Sequence, residues 1–349
     1  MALGQEPRRR RRASRKLVPG KLPARALREL LRHRGAPDAS VIVGPAFGVD
    51  AAVIDLGQGD YLILKSDPVT FTTLELGWYA VHVNANDVAV MGGRARWFQP
   101  TIIVPPGTAL DTVQRIMREV HGAAEQLGIA VTGGHTEVSA AVRQPIVAGD
   151  MQGLVPRRRL ILPGGARPGD ILVMSKSAAI EGTAILAREW PAAARRALGA
   201  TGQRLAARFH HRPGISIVRD AAIAAAHGVH ALHDPTEGGV AAGLFEMASA
   251  AGCRFIVDLD AISIHEYTRR LCEHFGLRPL GLIGSGALLA SVPPGRVRGL
   301  VGTLAAQGIP ATAIGRVVAG KGVSGRRGGR TVRFEWSERD ELARLVPPV

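Results

Sequence analysis

Residues 156–169 read PRRRLILPGGARPG, and neither a helix nor a central strand tolerates that composition. Proline locks φ and offers no N–H to a helix or a ladder, and glycine loses the most backbone freedom on ordering. The stretch therefore cuts the chain in two. Each side is long enough to bury its own core, because 349 residues are more than one medium domain usually holds. Each side also mixes strand-like and helix-like runs in irregular alternation. That fits two α/β or α+β domains better than one doubly wound sheet. The expected divisions are a disordered basic tail over 1–22, an N-terminal domain over 23–155 and a C-terminal domain over 166–345.

In the first half, residues 23–35 predict a short helix and 40–43 an extended segment. Runs at 51–56 and 61–65 flank Gly57-Gln58-Gly59-Asp60, the spacing of a hairpin. Residues 76–91 predict a helix stopped by Gly92-Gly93, and 99–104 a strand closed by Pro105-Pro106. The clearest helix is 110–127, where Val113, Ile116, Met117, Val120, Ala124 and Leu127 follow the 3.6-residue period up to Gly128. Strands are expected at 129–132 and 146–154. In the second half, strand 170–175 precedes helical segments to about 227, then a strand at 229–232, a loop at 233–239 and a helix from 239 to 251. Further strands are expected at 254–258, 286–292, 311–318 and 331–335.

The net charge of +15 points first to nucleic acid. Residues 1–22, however, carry eight Lys or Arg against Glu6 alone, a net +7 on a segment with almost no apolar period. No aromatic residues interleave with these charges, so a nucleic-acid partner is not expected. No run reaches transmembrane length, and the basic start lacks the apolar stretch of a secretory signal. Cys253 and Cys272 have neither metal-ligand nor redox spacing, and a reducing cytoplasm is the default location.

Five segments carry candidate chemistry. On the helix 76–91, Trp78, Val81, Ala85, Val88 and Ala89 mark one face, while Asn84, Asp87 and Met91 share another. Asn84 and Asp87 are costly to bury without partners, so they serve a site or face solvent. Asp50 precedes one strand and Asp67 directly follows another. Strand-end carboxylates serve as hard magnesium ligands or as turn residues. Gly133-Gly134-His135-Thr136-Glu137 follows a short strand, as a phosphate-approaching loop or an ordinary turn. Asp234-Pro235-Thr236-Glu237-Gly238-Gly239 opens a helix, as an anion site or as a plain cap.

The order of these landmarks is more specific than any one of them. "GVDAAVI", "SDPVTF", "NANDVAVMGG", "VTGGHTEV", "RPGDILVMS" and "HDPTEGGVAAGLFEMA" resemble successive motifs of the AIR synthase superfamily. "NDVAVMGG", "DPTEGG" and "GLIGSGALLASV" look most like the HypE type of hydrogenase maturation protein. The resemblance spans roughly 36–320. It implies a two-domain PurM-like α/β (α+β) fold, a homodimer whose N-terminal strands form a shared barrel, and Mg-ATP as the bound nucleotide. It also implies transfer of phosphate to an amide or carbonyl oxygen of a small molecule or protein group.

Carried over by motif, Asp50, Asp67 and Asp87 become metal ligands, and Asp87, His135 and Glu137 the catalytic candidates. Asn84, Gly133, Gly134, Thr136, Asp234, Gly238 and Gly239 become nucleotide contacts. The chain departs from the pattern at Val49, where several relatives carry a second acid, and at His135, where many carry Asp or Glu. Those two positions keep open a non-catalytic nucleotide-binding regulatory or maturation-accessory subunit. HypE-type proteins end in a cysteine that carries the carbamoyl group, whereas this chain reads Arg344-Leu345-Val346-Pro347-Pro348-Val349, so their reaction in its usual form is not expected.

Overall fold

The break at 156–169 separates two sheets. The computed structural model describes residues 17, 19–33 and 35–345; the Arg run of the basic tail lies outside them. Before the break lie α1 (Ala24–Leu30), β1 (Val41–Val43), β2 (Ala52–Ile54), β3 (Tyr61–Val69), α2 (Leu76–Val90), β4 (Arg94–Val104), α3 (Leu110–Leu127), β5 (Ala130–Val131), β6 (His135–Val138) and β7 (Ile146–Val155). After it come β8 (Ile171–Ser175), α4 (Ile180–Glu189), α5 (Pro191–Ala206), α6 (Val218–Ala226), β9 (Ala231–His233), α7 (Gly239–Ala251) and β10 (Arg254–Asp258). The chain closes with α8 (Glu266–Phe275), β11 (Leu289–Val292), α9 (Pro294–Ala306), β12 (Ala311–Val318), β13 (Gly322–Arg327) and β14 (Arg330–Val332). The first sheet has the order β1-β2-β3-β7-β4-β5, with β6 pairing β4 further along. The second has the order β14-β13-β10-β12-β8-β11-β9.

The 110–127 period becomes α3, which buries Ile116, Val120, Ala123 and Ala124 and stops at Gly128 with φ 65°. The 61–65 run is longer than its apolar part predicts. β3 continues through Asp67 and Pro68 and pairs with β7 along its whole length. Asp67 is therefore inside the strand and not after it. Pro68 is tolerated because β2 pairs only Leu62, Ile63 and Leu64 of β3, leaving no ladder on that side at Pro68.

α2 departs most from expectation. Leu76, Tyr79, Val81, Asn84, Asn86, Val88 and Val90 are all fully buried, so the helix has no solvent face. It lies between the first sheet and α3 on one side and α6 and β9 of the second half on the other. Gly149 on β7 permits the approach, since a Cβ there would stand 2.4 Å from Asn84 Nδ2.

Four elements are absent from the sequence reading. β6 is polar and exposed, and only its parallel pairing with β4 makes it a strand. β13 and α9 are interrupted by glycines, and α8 buries just Thr268, Leu271 and Cys272. No described helix is long and apolar enough to cross a membrane.

Candidate functional site

β3 alternates its side chains, so Lys65 and Asp67 emerge on one face. Asp87 descends on them from α2. Lys65 Nζ stands 3.1 Å from Asp67 Oδ2 and 2.8 Å from Asp87 Oδ2. Asp50, from the segment between β1 and β2, approaches His233 at the end of β9. The imidazole Nδ1 is 3.0 Å from the Asp50 carboxylate, and Nε2 is 3.1 Å from Glu246 Oε2 on α7. Glu246 Oε1 accepts from Lys21 Nζ at 3.0 Å. Lys21 thus belongs to the site and not to a free tail, because this ion pair anchors it. Asp50, Asp67 and Asp87 share one cavity of about 820 Å³ with Lys21, Lys65 and His233. Thr236, Glu237 and Glu246 line it too, so both halves of the chain form its walls.

Behind the wall, Asn86 joins the two halves. Its Nδ2 donates to Ile215 O at 2.9 Å and to Asp234 Oδ2 at 3.0 Å, and its Oδ1 accepts from Ile217 N at 2.9 Å. Asn84 faces its own domain, donating to Ala80 O at 2.8 Å and Asp67 O at 3.2 Å. Buried Oδ1 atoms of Asn84 and Asp234 lack hydrogen-bond partners.

Burial sets the charges. It pushes Asp87 up to about 7, against the pull of Lys65 and helped by Asp50 and Asp67. It raises Asp234 far above the usual carboxylate range, with Asp87 adding to the effect. Burial alone would lower Lys65 and His233. The carboxylates beside them more than offset it, holding Lys65 charged and lifting His233 to about 10. A protonated His233 donates from both nitrogens, which is what its two carboxylate partners require. Burial would raise Glu246, but His233 and Lys21 bring it down to about 2.

The cavity is therefore rich in carboxylates that their own cations incompletely neutralise. An anionic ligand entering it meets like charge, which a hard divalent cation between them would offset. Asp50, Asp67 and Asp87 offer the hard oxygen donors magnesium prefers, and the Lys65 ammonium already marks where positive charge is drawn.

The other sequence candidates lie elsewhere. His135, Thr136 and Glu137 are exposed on β6, outside the cavity lining, with His135 Nε2 3.1 Å from Glu137 Oε2. Gly133 and Gly134 also lie outside that lining, and Gly134 packs against Pro100 O, which a Cβ would meet at 2.4 Å. At the start of α7, Gly238 N donates to Asp340 Oδ2 at 2.7 Å and Gly239 N to Thr236 O at 2.9 Å, so both N–H groups have internal acceptors. Sequence reasoning missed Lys65, Asn86, His233, Glu246 and Lys21. Strand alternation from Asp67 could have found Lys65. Nothing local links Lys21 to Glu246 across 225 positions.

Family models for the N-terminal and C-terminal domains of AIR synthase related proteins match residues 48–155 and 167–327. Carbamoyl dehydratase HypE of Rhodobacter capsulatus is 32% identical over 82% of this chain and 81% of its own length. Among solved structures, the hydrogenase maturation protein HypE in complex with ATP superposes with a TM-score of 0.70 at 24% identity, covering 84% of this chain and 90% of that one. AaThiL complexed with AMPPCP and TMP superposes with a TM-score of 0.67 at 22% identity, covering 83% and 90%.

Proposed function

This chain belongs to the AIR synthase-related family, and on that premise we propose that its acidic cavity holds ATP through magnesium. The protein is an ATP-dependent enzyme of the AIR synthase and HypE-like group. In our reading it phosphorylates or dehydrates an amide or carbonyl-type substrate. The observation that carries this is the convergence of Asp50, Asp67 and Asp87 around Lys65 in one cavity walled by both halves.

Magnesium, when bound, supplies the charge that lets a triphosphate lie against carboxylates and neutralises the oxygens of the transferred group. Asp50, Asp67 and Asp87 would hold it. Lys65 pairs with Asp67 and Asp87 and presents an ammonium to phosphate oxygens. His233 fixes Asp50 from behind through its bond to Glu246. Asn86 sets the distance between the halves, so that Thr236 and Glu237 stand opposite the acids and align an acceptor. A phosphorylated oxygen leaves as phosphate, which is how the transfer drives a dehydration. Neither cysteine suits a carrier role: both are buried, and burial pushes the Cys272 thiol up to about 12.

The proposal extends to a homodimer in which the first sheets of two copies face each other. The exposed β6, with Val138 67% exposed, supports it. Roles for Gly133, Gly134, His135, Thr136 and Glu137 at the nucleotide are proposed for that assembly alone.

Calorimetric titration with a non-hydrolysable ATP analogue, with and without magnesium, tests the reading. Magnesium-dependent binding that Asp87→Asn abolishes is the expected result. Binding indifferent to both magnesium and Asp87 would overturn it.

A further inference from the structure

Away from the cavity, Glu75, His210 and His211 bring one carboxylate oxygen and two imidazole nitrogens within 4.8 Å of one another. Glu75 stands at the N-terminal end of α2, and the two histidines come from the turn that precedes α6. The carboxylate belongs to the first half of the chain and the imidazoles to the second. We propose that these three residues form a site for one divalent transition-metal ion of the zinc class, which clamps the two halves together.

Two imidazoles and one carboxylate form a mixed nitrogen–oxygen set that zinc-class ions prefer, whereas calcium and magnesium take mostly oxygen. The ligand atoms reach solvent on one side. The side chains of His211 and Glu75 are 45% and 30% exposed, and that of His210 is 4% exposed. An ion therefore has an entry path and room for a water ligand.

His82 lies beside the cluster, its ring against that of Trp78. It is 4% exposed, and neither of its ring nitrogens has a hydrogen-bond partner. Such a group costs stability unless something completes it. Glu75, Trp78 and His82 fall at i, i+3 and i+7, on one face of α2. The Trp78 ring lies 4.1 Å from that of His82, 4.5 Å from that of His211 and 5.4 Å from that of His210.

His210 Nε2 lies 2.5 Å from Glu75 Oε2 and 2.7 Å from Arg188 Nη1. One ring nitrogen either donates to the carboxylate or accepts from the guanidinium, never both. An ion on that lone pair displaces the Arg188 contact at Nε2, while Arg188 keeps its ion pair to Glu75.

The test uses the full chain without a polyhistidine tag, titrated calorimetrically with Zn²⁺ alone and followed by visible absorption with Co²⁺ alone. One equivalent of Zn²⁺ should bind, Co²⁺ should give ligand-field bands, and Zn²⁺ should raise the unfolding midpoint. His211→Ala and Glu75→Gln should each weaken Zn²⁺ by more than about 100-fold, beyond what loss of an outer partner costs. They should also abolish the rise in midpoint. His211 is half exposed, so its variant is expected to keep the far-ultraviolet circular dichroism of the parent. Absence of saturable Zn²⁺ binding overturns the proposal, and so does binding that His211→Ala leaves unchanged. Neither result touches the nucleotide reading, which concerns another cavity.

Discussion

Two polar stretches of the first domain, one on α2 and one on β6, sit in opposite surroundings. On α2, Asn84, Asn86 and Asp87 are buried, share hydrogen bonds and ion pairs with both halves of the chain, and in Asp87 carry a strongly displaced pKa. On β6, His135, Thr136 and Glu137 are exposed and their one ion pair is with each other. The side chains are comparable; the dielectric and the partners differ. A buried charge must be answered by another group, so it organises its neighbours, while water answers an exposed one.

The largest effect that tests this contrast is expected at Asp87. Asp87→Asn should lower magnesium-ATP turnover by about 10²–10³-fold, the scale seen when one transition-state electrostatic partner is removed. Steady-state kinetics beside a circular dichroism spectrum measure it, and near-normal turnover would remove Asp87 from the site.

Next comes Asn86→Ala, which deletes three bonds between the halves and strands Asp234 Oδ2 and the Ile217 N–H. Roughly 2–4 kcal/mol of unfolding free energy should be lost, read from urea denaturation. A loss under about 0.5 kcal/mol would mean that Asn86 does not join the halves.

A third expectation concerns Glu181, buried near the cavity wall and pushed up to about 8 by that burial. The folded state holds this proton more tightly than the unfolded chain does. Its contribution is therefore most favourable below the ordinary value of 4.5 and is lost as pH rises through about 8. Glu181→Gln should flatten the fall in unfolding midpoint across that window and raise the midpoint at neutral pH. A parallel pair of pH profiles would contradict it.

The smallest effect belongs to the exposed strand. His135→Ala should change stability by less than about 0.5 kcal/mol, as exposed ion pairs usually do. If it instead lowers turnover as far as Asp87→Asn does, the contrast between the two stretches dissolves, and β6 acts at the nucleotide through a second copy.

Local periodicity made much of the fold legible. The 3.6-residue pattern of Val113, Ile116, Met117 and Val120 became α3, and the Gly57-to-Asp60 spacing became the β2–β3 turn. The first sheet ends at Val155 and the second begins at Ile171. β6 was not legible, because a polar exposed strand has no pattern of its own and exists through its neighbour β4. Nor was the all-round burial of α2, since a helix sandwiched on two sides needs no single apolar stripe.

The site divides in the same way. The sequence by itself determined which acids were candidates, because Asp50, Asp67 and Asp87 stand in motifs whose order can be read along the chain. It also determined the two-domain architecture, because proline and glycine act locally. Only the tertiary structure decided which polar groups converge. Lys21 meets Glu246 across 225 positions, and His233 bridges Asp50 and Glu246 across the cavity. The same holds for the Gly238 N–H, which is taken by Asp340 from 102 positions away. Hydrogen bonds and charges act through space over a few ångströms, and chain separation carries no record of which distant groups the packing will bring that close.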